Sequence, residues 1–205
     1  MQIRHISKFL VAGLLSAASS LTLAADEVYN GWSWAAHVDH INISDDVANR
    51  PDVLVGDTAT ALGVAAEYFT GGNNMTYSVG LNYIFYNDNN EFSQYIDDYW
   101  SGYGYEESDA GGFMAYVEVG PEYHFGADGL SFFTVRGGYS GIFSSERSIS
   151  NCDNCYSEDI NIDGGAYGVL GVGRSLGYLN VGVQFQQYFS GDLNNAIRLT
   201  LSGSF

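Results

Sequence analysis

Residues 75–86 read MTYSVGLNYIFY. Met75, Tyr77, Val79, Leu81, Tyr83 and Phe85 alternate with Thr76, Ser78, Gly80 and Asn82. Successive side chains of a strand point to opposite faces, so this stretch predicts a strand with one unbroken apolar face and one small, polar face. The same period of two recurs along the chain in segments of about ten residues, separated by polar, turn-rich stretches.

Upstream, the segment 29–41 places Trp32, Trp34, Ala36 and Val38 on one face and Ser33, Ala35, His37 and Asp39 on the other. The segment 60–69 sets Leu62, Val64, Ala66 and Tyr68 against Gly63, Ala65 and Glu67. Downstream, 113–125 carries Ala115, Val117, Val119, Tyr123 and Phe125 opposite Tyr116, Glu118, Glu122 and His124. The segment 131–143 opposes Phe133, Val135, Tyr139 and Phe143 to Thr134, Arg136 and Ser140. Segments 166–175, 178–188 and 195–205 complete a set of eight, and the facing of 166–175, with Arg174, is open. Short connections near 70–74, 126–129 and 175–177 alternate with longer ones at about 44–59, 87–112, 144–164 and 189–194. No stretch after the N-terminal region is apolar enough for a membrane-spanning helix. The fold class is therefore all-β: an eight-stranded antiparallel up-and-down transmembrane β-barrel, with both termini on one side. A soluble eight-stranded barrel, apolar inside and polar outside, is the alternative. Bulky apolar faces with Trp32, Trp34, Tyr77, Phe85, Tyr123 and Phe125 near strand ends favour the membrane form, where aromatic residues ring the interfaces.

The ends of the chain agree with export. Arg4 and Lys8, an apolar run over 9–15 and Thr22-Leu23-Ala24 have the anatomy of a cleaved N-terminal signal peptide. We assign 1–24 to that signal and 25–205 to the barrel domain. Five arginines and no lysine then face 24 acids, a formal charge of −19. Such a chain is repelled by nucleic acid and by bare anionic surfaces.

The C-terminus, ending Leu199-Thr200-Leu201-Ser202-Gly203-Ser204-Phe205, resembles the assembly signal of Gram-negative outer-membrane proteins, with Phe205 last. Signal, alternating strands, acidic tyrosine-rich loops and Phe205 together resemble the small outer-membrane barrels: the transmembrane domain of outer-membrane protein A and the X/Ail type. The resemblance implies the outer membrane of a Gram-negative bacterium, lipopolysaccharide among its lipid neighbours, recognition of Phe205 by the outer-membrane assembly machinery, and a monomer. It also implies a structural or surface-interaction role such as adhesion. With the chain ending at Phe205, no peptidoglycan-binding domain is expected.

An eight-stranded barrel is just wide enough for side chains to fill it. Inward Glu67, Glu118, Glu122, Arg136 and Arg198 are thus expected to form an ion network in the interior. Glu118 and Arg136 lie on consecutive hairpin strands, directly or diagonally opposite. The alternative is a narrow small-solute channel. His37, Asp39 and His40 invite a third reading, a lipid A-modifying barrel enzyme, which needs a His with a Ser and an acid near the outer leaflet. Asn42 and Ser44 follow His40 without a close His-x-Ser pairing. No catalytic set is assigned, and no cofactor.

Gly171-Val-Gly173-Arg-Ser-Leu-Gly177 has one residue too many for a dinucleotide loop and runs into a strand. Asp159-Ile-Asn161-Ile-Asp163-Gly164 matches half a calcium loop, but its twelfth position is Leu170 where a bidentate Glu is required. Ile160 and Ile162 read as the rising edge of the sixth strand. No metal site is assigned; the acidic loops either bind divalent cations weakly or are simply solvated. The loop 87–112, with Tyr95, Tyr99, Tyr103, Tyr105 and Trp100, has the composition of a binding surface, since Tyr gives contact area at low entropy cost. Strand extensions would explain it equally. In NCDNCY, residues 151–156, turn residues Asp153-Asn154 separate the only cysteines. A turn brings its outer Cα atoms within about 7 Å, so a Cys152–Cys155 disulfide is expected in an exported loop.

Overall fold

The computed structural model describes residues 30–98, 102–149 and 155–204. The signal at 1–24, Cys152 and Phe205 lie outside them, and so does the pairing of the cysteines. The chain forms β1 (Asn30–Ile43), α1 (Asp45–Ala48), β2 (Val55–Thr70), β3 (Met75–Asp88), β4 (Ser93–Asp98), β5 (Gly102–Glu107), β6 (Asp109–Phe125), β7 (Ser131–Ser148), β8 (Ser157–Asp159), β9 (Ala166–Ser175), β10 (Leu179–Tyr188) and β11 (Leu193–Ser204).

Eight of these strands close a barrel. Going round the wall, each of β1, β2, β3, β6, β7, β9, β10 and β11 pairs antiparallel with the next, and β11 returns to β1. Closure leaves no free edge in the wall. β4 and β5 form a separate hairpin in the second long connection, and β8 adds to the outer end of β7. Wall strands extend further toward the long connections than the hydrophobic alternation suggests: β2 begins at Val55 and β7 runs to Ser148.

Period-two alternation determines facing throughout. Leu62, Val64, Val79, Leu81, Val117, Val172, Val183 and Leu199 are exposed on the outer wall, whereas Thr76, Ser78, Asn82, Glu118, Thr134 and Arg198 are buried inside. The outward apolar band gives way to His40 and Thr60 toward the long-connection end. Aromatic rings gather near both margins: Tyr83 with Phe85 and Phe113, 4.7 and 5.0 Å between centroids, and Trp32 with Tyr68, 5.1 Å.

β9 resolves the open facing. Tyr167 and Val169 are buried, while Leu170, Val172 and Arg174 point out. Arg174 lies at the short-turn end, where it donates to Asp128 of the β6–β7 turn at 2.8 Å. Ile160 and Ile162 correct the sequence reading: they belong to no strand, because residues 160–165 cross inward before β9 begins, and both side chains are buried. They join Ile41, Ile43, Val53, Val55, Ile84, Met114, Val169 and Leu193 in one apolar cluster. That cluster fills the long-connection end of the lumen, with Ala48 of α1 part of it.

Candidate functional site

The middle of the lumen is ionic. Inward residues of β1 and β11 meet in register, Asp39 opposite Arg198. Arg198 donates from Nε to Asp39 Oδ1 at 2.9 Å and from Nη2 to Oδ2 at 3.0 Å, a bidentate pair. Its Nη1 donates to Glu118 Oε1 at 2.9 Å, and its guanidinium lies 4.6 Å from the Tyr116 ring centroid. The Gln186 amide, turned so that its oxygen faces the guanidinium, accepts from it at 3.0 Å. Asn82 donates to Asp39 Oδ2 at 3.0 Å and shares a 2.9 Å hydrogen bond with His37 Nε2. Tyr167 donates its hydroxyl to Glu118 Oε1 at 2.9 Å.

Arg136 lies one step toward the short turns. It meets Glu67 at 2.7 Å, Glu122 at 3.3 Å and Glu118 Oε2 at 3.7 Å. Glu118 pairs across the ladder with Gly138 and Glu122 with Thr134, so Arg136 reaches both carboxylates diagonally. All five charged residues singled out in the sequence thus lie in one connected cluster. Asp39 completes it. Sequence reasoning set Asp39 beside His37 and His40; pairing the first strand with the last would have placed it opposite Arg198.

Two guanidinium groups here face four carboxylates. The excess negative charge sits where water reaches it: the Glu67 and Glu122 side chains are 15% and 19% exposed, against 1% for Asp39 and Glu118. Small residues make room. A side chain at Gly63 would collide with His37 and Asn82, and one at Gly173 with the Phe132 ring.

The enzyme constellation does not assemble. His37 and Asp39 point into the lumen and are committed to Asn82 and Arg198, whereas His40 points outward. His124 lies at the far, short-turn end, with Glu122.

Two further arginines tie the long connections together. Arg147, 1% exposed, pairs with Asp88 at 2.6 Å and with Glu158, and donates to the carbonyls of Val53 at 3.2 Å and Leu54 at 2.9 Å. Leu54 adopts φ 47°, a left-handed conformation that a leucine rarely enters unless its surroundings hold it there. Arg50 pairs with Asp192 at 3.2 Å and donates to the Asn161 carbonyl. Asp192 also accepts from the Asp163 backbone N–H at 2.8 Å. Every arginine among the described residues is therefore ion-paired. The sequence hid these clasps because Arg50 and Arg147 fall in segments without periodicity.

Above the clasps, the β4–β5 hairpin pairs Tyr95 with Tyr105. Near its base Glu91 is fully exposed. A hydrogen bond shared with Glu107, and the repulsion between the two carboxylates, raise its pKa above the ordinary value.

No family model matches this chain, and no curated protein matches it either. Solved structures do. Neisserial surface protein A aligns over 88% of this chain and 100% of its own, at 11% identity and a TM-score of 0.46. Ail, the attachment invasion locus protein of Yersinia pestis, aligns over 87% of this chain and 99% of its own, at 8% identity and a TM-score of 0.47. The complex of Ail with the heparin analogue sucrose octasulfate aligns equally well, at 9% identity. The strand pairing of this chain closes an eight-stranded antiparallel barrel.

Proposed function

We propose that this protein is an integral outer-membrane barrel with a non-conducting lumen, whose clasped acidic loops form a surface-interaction head. One observation carries the reading: the wall is turned inside out relative to a soluble barrel. Exposed Val, Leu, Ile, Phe and Tyr side chains circle the outside, and buried arginines, carboxylates and amides occupy the inside. In water, such a belt far exceeds the apolar patch a soluble monomer exposes; in a bilayer it is the solvated surface. The polar outward residues His40 and Thr60 and the rings at the margins suit the two interfaces.

The lumen favours a structural role over a channel. Ion pairs fill its middle, and the apolar cluster fills its outer end beneath α1 and residues 160–163. Filling of both parts by side chains favours a sealed lumen over a path for hydrated solutes. His37 and Asp39 are buried in the lumen on Asn82 and Arg198 while His40 points outward, which favours a non-enzymatic barrel. In this setting the interior carboxylates and arginines act as a plug, Cys152 and Cys155 close a small staple in the third long loop, and Phe205 serves assembly.

The test is fractionation with electrophoresis and planar-bilayer recording. The reading expects the protein in outer-membrane fractions, faster gel mobility unheated than heated, and no steady conductance. A protein that stays soluble without detergent would refute the barrel assignment. Stable solute-selective currents would refute the sealed lumen.

A further inference from the structure

We propose that the outward face of the β4–β5 hairpin is a docking site for an arginine- or lysine-rich segment of a partner protein. This rests on the surface-interaction reading above and gives it a partner chemistry.

The two faces of the hairpin are unlike. On one, Ile96 is buried, Gln94 Oε1 accepts from the Tyr156 backbone N–H at 3.2 Å, and Phe92 meets the Tyr156 ring at 5.1 Å. That face anchors the hairpin to the third long connection. On the other, Tyr95 and Tyr105 stand opposite each other, edge to face at 5.3 Å, and remain 54% and 74% exposed. The tyrosines are held in a fixed pair that the packing of the fold leaves unused. Two such rings give a wide apolar and π surface at little entropic cost.

The charge beside them is negative and unmatched. Glu107 lies two residues beyond Tyr105, on the same face of β5, with Glu91 next to it. A hydrogen bond shared with Glu107, and then the repulsion between the two carboxylates, raise the Glu91 pKa above the ordinary value. No arginine among the described residues is left to neutralise them. Arg50 and Arg147, the only basic residues of the long connections, are spent on the clasps, and the sequence has no lysine after Lys8. A guanidinium or ammonium group from outside satisfies both needs at once, lying over a ring and pairing with a carboxylate. A bare metal ion would use the carboxylates and ignore the rings.

The experiment measures binding of a fluorescent oligo-arginine peptide to the full chain, folded in zwitterionic micelles at about 0.15 M salt, where distant charges are largely screened. We expect saturable binding, weakened about tenfold in Tyr95→Ala/Tyr105→Ala, as loss of two cation–π partners requires. Tyr95→Phe/Tyr105→Phe keeps the rings and should bind within about twofold of the parent. Asp45→Asn/Asp46→Asn removes exposed charge from another loop and should also stay within about twofold. Gel mobility before and after heating shows that each variant is folded. The proposal is overturned if the alanine pair binds like the parent, if the Asp45/Asp46 variant loses as much as the tyrosine variant, or if millimolar calcium displaces the peptide while the tyrosine changes have no effect. Labelling of intact cells separates the two readings. A hairpin inaccessible on cells sinks the surface role alone; an accessible hairpin without peptide binding sinks the docking face alone.

Discussion

The two halves of the lumen are filled by opposite chemistry. Around Arg198 and Arg136 the filling is ionic, and each group is fixed by the direction of its hydrogen bonds. Around Ile41, Val55, Ile84, Ile160 and Ile162 it is apolar and fixed by volume. An ionic filling tolerates little, because removing one member leaves its partners charged, dry and unpaired. An apolar filling yields in smaller steps, because the lost contacts scale with the cavity that remains. The same narrow barrel is thus closed twice, by mechanisms that fail differently.

The sharpest way to break this contrast is Arg198→Ala. It leaves Asp39 and Glu118 buried without their shared cation, and should cost about 3–5 kcal/mol or prevent refolding. Urea midpoints of the refolded barrel, read by gel mobility, measure it. A loss under about 1 kcal/mol would place this pair with weak surface ion pairs. Ile162→Ala probes the other half. Since a loop can partly collapse onto the gap, the expected loss is at the low end of the usual range, about 2 kcal/mol, by the same measurement. Arg136→Ala lies between the halves in kind. Water reaches Glu67 and Glu122, so the expected cost is below that of Arg198→Ala, about 1–2 kcal/mol. More tellingly, it should open no large conductance, because the apolar half remains closed; a wide stable channel in this variant would show that ion pairs alone close the lumen. The smallest effect is expected outside the lumen, at Glu107→Gln. Removing the neighbouring charge should lower the Glu91 pKa, followed by NMR titration. A carboxyl whose folded pKa is raised binds more protons folded than unfolded, so it favours the folded loop at low pH and opposes it as pH rises through that pKa. Glu107→Gln should flatten this dependence.

The candidate site was legible in parts. Glu67, Glu118, Glu122, Arg136 and Arg198 could be assigned inward from parity alone, since a strand offers each residue one of two faces. Asp39 was visible but misgrouped, because its partner lies 159 positions away and only closure of the barrel brings β1 to β11. Ile160 and Ile162 imitate a strand edge in sequence; the structure turns them inward, where covering the lumen mouth buries both side chains. Arg147 carried no signal, for its ligands come from three different long connections.

What the sequence determined by itself is the wall. Eight alternating segments, with short and long connections in turn, dictate an up-and-down barrel, and in all but 166–175 they say which side chains face out, because strand periodicity is local and leaves no choice once one face is apolar. What only the tertiary structure decided is the filling. The identity of each ion pair, the inward Tyr167 and Val169 with Arg174 outside, the apolar seal beneath α1, and the arginine clasps all depend on residues far apart in the chain meeting across a closed lumen. Distance in space, unlike facing along a strand, is not written in any local pattern.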